Sequence, residues 1–169
     1  MLDHGYREFQ QQIADDPHRF KTAVIHRRAG KTVFALDWLL APARDPEWEG
    51  LDGNPYRGYF IAPYRNQAKG IAFDFLLTMT AGEEIMINRS ELFIEYKDTG
   101  GRVQLLGAEG GAKHRGKWAH RVAMDETAQI PPDVWRSVFR PMLADTKGEM
   151  LAIGTPSGHG WFHDLFTMP

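Results

Sequence analysis

The chain has no cysteine among its 169 residues, which excludes disulfides and thiolate metal sites. No apolar run approaches the ~20 residues needed to cross a bilayer, so no membrane partner is expected. No secretory leader precedes the first charges, and together with the missing cysteines this gives the expectation of a cytoplasmic location. Neither sign of charge dominates: the net charge of -2 provides no global attraction to nucleic acid. Internal repeats and low-complexity segments are absent as well. What remains is ordinary globular composition, 43% hydrophobic and 25% charged. The length suits one domain with its own core, since domains run at roughly 100 to 200 residues.

The most informative stretch is Val24-Ile25-His26-Arg27-Arg28-Ala29-Gly30-Lys31-Thr32. Residues 20–25 are mostly apolar and end in β-branched side chains, which predicts a strand. Residues 33–40 repeat their apolar positions at helical spacing. Gly30-Lys31-Thr32 between them matches the last three positions of a phosphate-binding P-loop, although the opening glycine of that pattern would fall at Ile25. Gly30 lets backbone N–H groups turn toward a polyphosphate, and a helix begun at Lys31 aims its positive dipole end at the same anion. Lys31 can reach the β- and γ-phosphates of a nucleotide, and the Thr32 hydroxyl can hold Mg²⁺.

Residues 3–16 predict a short amphipathic helix that stops before Asp16-Pro17. Gln10, Gln11 and Gln12 lie on it; a glutamine amide donates and accepts together, as the Hoogsteen edge of adenine requires, but composition alone favours three surface glutamines on a helix. Residues 41–46, with Pro42 and Pro46, and the polar stretch beyond them predict a loop. A strand over 57–62 and a helix over 66–80 follow, with Gln67 and Lys69 in the first turn, where an open α/β sheet presents its ligands. Shorter strands are expected at 85–87, 92–96 and 102–106, the last two joined by a hairpin at Asp98-Thr99-Gly100-Gly101. Residues 107–116 are glycine-rich and basic and predict a mobile loop. Between Arg102 and Arg121 five bases face Glu109 alone, a local +4 that fits a solvated face or a contact with phosphate.

Residues 120–126 predict a buried strand that ends in Asp125-Glu126. Two consecutive acids after a P-loop suit a division of labour in which Asp125 holds the Mg²⁺ shell and Glu126 polarises an attacking water. Pro131-Pro132 opens a helix over 133–143, a last strand spans 149–153, and Trp161 starts another helix. That strand delivers Gly154-Thr155-Pro156, where a threonine can sense the γ-phosphate. Alternating strands and helices predict a three-layer α/β domain with a mainly parallel sheet.

Taken together, Gln10, Arg27-Arg28-Ala29-Gly30-Lys31-Thr32, residues 62–69, Asp125-Glu126 and Gly154-Thr155-Pro156 resemble the ATPase domain of the large terminase subunit, the DNA-packaging motor of tailed bacteriophages. The resemblance runs from about Tyr6 to Phe166 and implies a P-loop NTPase of the ASCE type. It implies that Gln10 contacts adenine and that Arg27 or Arg28 is the P-loop arginine. Asp125 and Glu126 fall on the Walker B aspartate and catalytic glutamate, and Gly154, Thr155 and Pro156 on the coupling motif. It also implies an arginine finger supplied by a neighbouring subunit. Arg115 matches that position best, with Arg102 and Arg121 poorer because each falls in a predicted strand.

By the same resemblance, ATP and Mg²⁺ are the ligands and double-stranded DNA, a portal protein and a small terminase subunit are the partners. The chain would join a ring, expected to be a pentamer, in the host cytoplasm, docked transiently at the procapsid portal vertex. Residues 1–169 would form the ATPase domain alone, without the family's nuclease domain and part of its lid. Two other readings stay open: a helicase-like ATPase, and a non-catalytic assembly module that binds the portal or the small subunit.

Overall fold

The computed structural model describes residues 5–155 and 158–167. Among them seven strands form one sheet: β1 Phe20–Val24, β2 Arg57–Ala62, β3 Ile85–Asn88, β4 Phe93–Tyr96, β5 Arg102–Gly107, β6 Arg121–Met124 and β7 Glu149–Gly154. Their order is β1-β7-β6-β2-β5-β4-β3. The first five are parallel, and β4 and β3 add an antiparallel edge. β7 therefore lies between the P-loop strand and the strand that leads into the two acids, the inserted strand of an ASCE sheet.

The period-two alternation of the strands divides the core. Phe60, Val103, Leu105, Ala123, Leu151 and Ile153 face α1 (Glu8–Asp15), α2 (Lys31–Arg44) and a helix over 65–79. Tyr59, Ile61, Val122, Met124, Met150 and Ala152 face a helix over 132–142 and the helix Trp161–Thr167. Both faces are covered, as a parallel sheet requires. Each of the two longer composite helices contains a π-turn, at Ala68–Ala72 and at Trp135–Phe139.

Three expectations need correction. The first helix begins at Glu8 rather than at residue 3; Gly5 takes φ +61° and Arg7 is extended, so the described residues before Glu8 are not helical. Residues 41–44 are not a loop: α2 runs through Pro42 to Arg44. Proline at 42 removes the donor that would bond the Trp38 carbonyl, one turn back. Arg121 supplies the replacement, with Nη1 donating to Trp38 O at 2.8 Å while its Nη2 bonds Glu149 Oε1 at 3.1 Å. The helix survives its proline because a neighbouring strand lends a guanidinium.

The third correction concerns residues 107–116. Ala108–His114 form a 3₁₀ segment packed on the helix over 132–142 rather than a mobile loop. Gly111 leaves no side chain between its backbone and Val134, and buried His114 stacks on Phe139 while its Nε2–H donates to Gly107 O. Burial pushes the His114 pKa down, which keeps the ring neutral. The basic run is not one face either. Arg102 pairs with Glu95, Arg121 turns inward, and Arg115 is exposed at the outer tip of the segment.

The hairpin at Asp98–Gly101 forms as expected, with Gly100 at φ +67° and its N–H on Tyr96 O. The polar stretch before β2 is pinned by His120, whose Nδ1 accepts from Arg57 N and whose Nε2–H donates to Asp52 at 2.9 Å. Burial raises the Asp52 pKa, but hydrogen bonds from Asn54 and His120 outweigh it and hold the carboxyl at about 2.

The Pro42–Arg121 pairing predicts a coupled stability effect. Arg121→Met is expected to cost roughly 2–3 kcal/mol, from an orphaned buried carbonyl and lost charged hydrogen bonds. In a Pro42→Ala background the loss should shrink by about 1 kcal/mol, because a backbone N–H at position 42 again reaches Trp38 O. Urea denaturation of the four proteins measures this coupling, and equal losses in both backgrounds would refute it.

Candidate nucleotide site

The parallel strands deliver their following loops to one edge of the sheet. There the P-loop after β1, Asp125-Glu126 after β6 and Thr155 after β7 meet. Gly30 caps α2 with φ +78°, a conformation that a side chain would strain. Arg28 also has positive φ, +62°, so the loop turns tightly just before the helix. The first amides of α2 are thereby left pointing outward at the positive end of a helix dipole.

Lys31 is only 8% exposed. Its Nζ donates to Thr155 Oγ1 at 3.1 Å and lies 3.4 Å from Glu126 Oε1. The Thr155 hydroxyl in turn lies 3.4 Å from both Glu126 carboxylate oxygens, a long contact. At the next position of α2, Thr32 Oγ1 donates to Asp125 Oδ2 at 2.8 Å. Asp125 Oδ1 accepts the Glu126 N–H at 2.9 Å, and the Asp125 N–H is held by Ile61 O of β2. Glu126 adopts left-handed backbone, φ +46° and ψ +47°, which costs a non-glycine residue roughly 1–3 kcal/mol. That turn presents its carboxylate to Lys31.

Burial pushes the Asp125 pKa up and the Glu126 charge adds to it, against the hydrogen bonds from Thr32 and Glu126 N–H and the charge of Lys31. A half-buried carboxylate beside a threonine hydroxyl is a hard oxygen pair, and a hydrated divalent cation would offset the burial that raises its pKa. The donor set therefore fits Mg²⁺, which takes one or two protein oxygens and keeps its waters. An open cleft of about 260 Å³ borders Thr32, Asp125 and Glu126 and is walled by Ala62, Pro63, Gln67 and Ile71. A larger cavity, about 440 Å³, lies between the far end of α2 and Arg121. There Arg44 and Arg121 are each already paired with acids, so it offers no comparable chemistry.

Gln10 sits against the P-loop: its Nε2 donates to Ala29 O at 3.4 Å and its Oε1 accepts Arg7 N–H at 3.0 Å. Gln11 and Gln12 are exposed, and Gln11 bonds Asp15. Arg27 and Arg28 are exposed on the loop and make no side-chain hydrogen bond or ion pair with other described residues. The structure thus gathers Gly30, Lys31, Thr32, Asp125, Glu126, Gly154 and Thr155, with Gln10 and Ala29 adjoining. Arg115 is not brought to this cluster, and Pro156 lies outside the described residues. Sequence reasoning passed over Thr127, which is fully buried behind the two acids. A threonine after an acidic pair reads as a polar exit, and nothing in the string marks its burial.

No protein-family model matches the chain. A large terminase subunit of Thermus virus P23-45 is 30% identical over 184 aligned residues, taking in 95% of this chain and 38% of that protein. The chain thus spans well under half the length of the curated relatives it matches. The large terminase ATPase domain of Thermus phage P74-26 superposes with a TM-score of 0.76 at 23% identity, covering 95% of this chain and 69% of that one. The large terminase of another thermophilic bacteriophage, in complex with ADP, superposes at 0.67 and 16% identity, over 90% of this chain and 40% of that one. Alike in sequence along nearly its whole length and alike in fold, the chain is a relative of the phage large terminase subunits and has the fold of their ATPase domain.

Proposed function

We propose that this chain is the ATPase motor domain of a phage large terminase, hydrolysing ATP to drive double-stranded DNA into a procapsid. The observation that carries the reading is the convergence of Lys31, Glu126 and Thr155 at the amino end of α2. Lys31 and the outward amides of α2 bind the triphosphate, and Arg27 or Arg28 adds charge from the exposed side of the loop. When bound, Mg²⁺ would be held by Thr32 and Asp125 and would neutralise charge on the β- and γ-phosphate oxygens. Glu126 accepts the proton of a water that attacks the γ-phosphorus, and the bond from that phosphorus to the β-phosphate oxygen breaks. Gln10, beside the P-loop, contacts adenine by exchanging its bond to Ala29 O.

Gly154, Thr155 and Pro156 couple this step to movement: when a γ-phosphate takes over Lys31, Thr155 loses its ammonium partner. Arg115 serves a neighbouring subunit in trans, because it is exposed, has no side-chain partner among the described residues and does not reach its own site. The subunits form a ring, proposed as a pentamer, docked at the portal vertex in the host cytoplasm with the portal protein and a small terminase subunit. DNA is held through backbone phosphates, since a packaging motor must accept any sequence.

Three outcomes test the reading. Glu126→Gln should lower steady-state ATP hydrolysis by about 10²- to 10⁴-fold while nucleotide still binds, measured by phosphate release and calorimetry. Arg115→Ala should remove a rate that climbs with protein concentration, by up to about 10³-fold or more; hydrolysis at the parent rate where the ring forms would refute the finger. Asp125→Asn should abolish hydrolysis and yet melt higher than the parent without nucleotide at neutral pH. The raised folded pKa means that ionised Asp125 weakens the fold above that pKa. The advantage of the variant must therefore shrink as pH falls through it, and a melting series against pH reads the sign.

A further inference from the structure

β6 stops at Met124, paired with Ala152, while β7 continues to Gly154. The carbonyl of Ile153 lies beyond the last paired residue of β6, so no ladder amide of that strand remains for it. The Thr127 hydroxyl stands in its place. Its Oγ1 is 2.9 Å from Ile153 O and 2.9 Å from Met124 O, in a residue with no solvent exposure. One hydroxyl proton is thus shared between the last carbonyl of β6 and the late carbonyl of β7. The approach is close: a Cβ on Gly154 would come within 3.4 Å of Thr127 N and 3.0 Å of the Phe162 ring. Gly154 leaves the room that lets Thr127 lie against β7.

Thr127 directly follows Glu126, whose left-handed backbone is held from the other side by the Asp125 N–H on Ile61 O. Thr155 is two residues beyond Ile153. The offset between the carboxylate of Glu126 and the hydroxyl of Thr155, 3.4 Å apart, is therefore set across one shared proton. We propose that Thr127 is a positioning residue that fixes Glu126 against Thr155, so that the acid group and the coupling strand move as one unit. It has no solvent exposure and acts through Glu126. The proposal rests on the hydrolytic reading above.

The test compares Thr127→Val, which keeps the shape and removes the proton, with Thr127→Ser, which keeps the hydroxyl. Turnover is followed by phosphate release, and affinity by calorimetry with Mg²⁺ and ATPγS. Thr127→Val should lower kcat about 10- to 100-fold, from misplacement of the base, with affinity within about twofold of the parent; Thr127→Ser should return to within about threefold. Parent-rate turnover in Thr127→Val would overturn the proposal. So would a joint fall of kcat and affinity, or a serine variant as slow as the valine one. If Thr127→Val does not fold, Thr127→Ala against Thr127→Ser decides in the same way. A parent no faster than Glu126→Gln would overturn the hydrolytic reading itself and this proposal with it, and is told apart because the parent is then inactive.

Discussion

Everything at the candidate site is arranged around one buried ammonium. Lys31 stands at the amino end of α2, where the helix dipole already favours an anion, and it is nearly closed off from water. Its charge is answered by Glu126 and its hydrogen bond by Thr155, so three elements far apart in the chain are tied at one atom. A triphosphate entering this place competes for the same ammonium. On the proposed function, nucleotide binding and the release of Thr155 and Glu126 would be one exchange rather than two events, and β7 would gain a direct physical link to occupancy.

The exchange depends on strand order. With β7 between β1 and β6, the Ile25 N–H reaches Gly154 O on one side and Thr127 reaches Ile153 O on the other. The P-loop, Gly154-Thr155 and the acid pair thus hang from three adjacent strands of a sheet packed on both faces. Interiors of that kind change between discrete arrangements rather than bending continuously. The strained turn at Glu126 is tolerated because both of its neighbours are held, Asp125 by β2 and Thr127 by β7.

The opposite edge of the sheet has its own logic. Arg121 repairs a carbonyl that Pro42 leaves without a donor, and it lies 4.5 Å from the centre of the Trp38 ring. Arg102 pairs with Glu95 across β4 and β5. Two of the arginines that look available in the string are therefore committed to the fold. Arg115, lifted out on the docked 3₁₀ segment, has no such commitment among the described residues.

The sequence by itself determined the strand–loop–helix of the P-loop, because β-branched residues, a positive-φ glycine and helical apolar spacing are all local signals. It likewise determined the acid pair at a strand end, the hairpin at Asp98–Gly101 and the alternation that makes the sheet parallel. What only the tertiary structure decided are matters of distance between remote segments. A proline inside α2 reads as a stop until Arg121, 83 residues beyond Trp38, arrives to satisfy its carbonyl. A glycine-rich stretch reads as mobile until Gly111 and His114 find Val134 and Phe139. Three successive glutamines cannot be ranked until one of them lies against Ala29, and a threonine reads as an exit until it is buried between two strand ends. Local composition fixes backbone preference, whereas the satisfaction of buried polar groups depends on partners that only folding brings within about 3 Å.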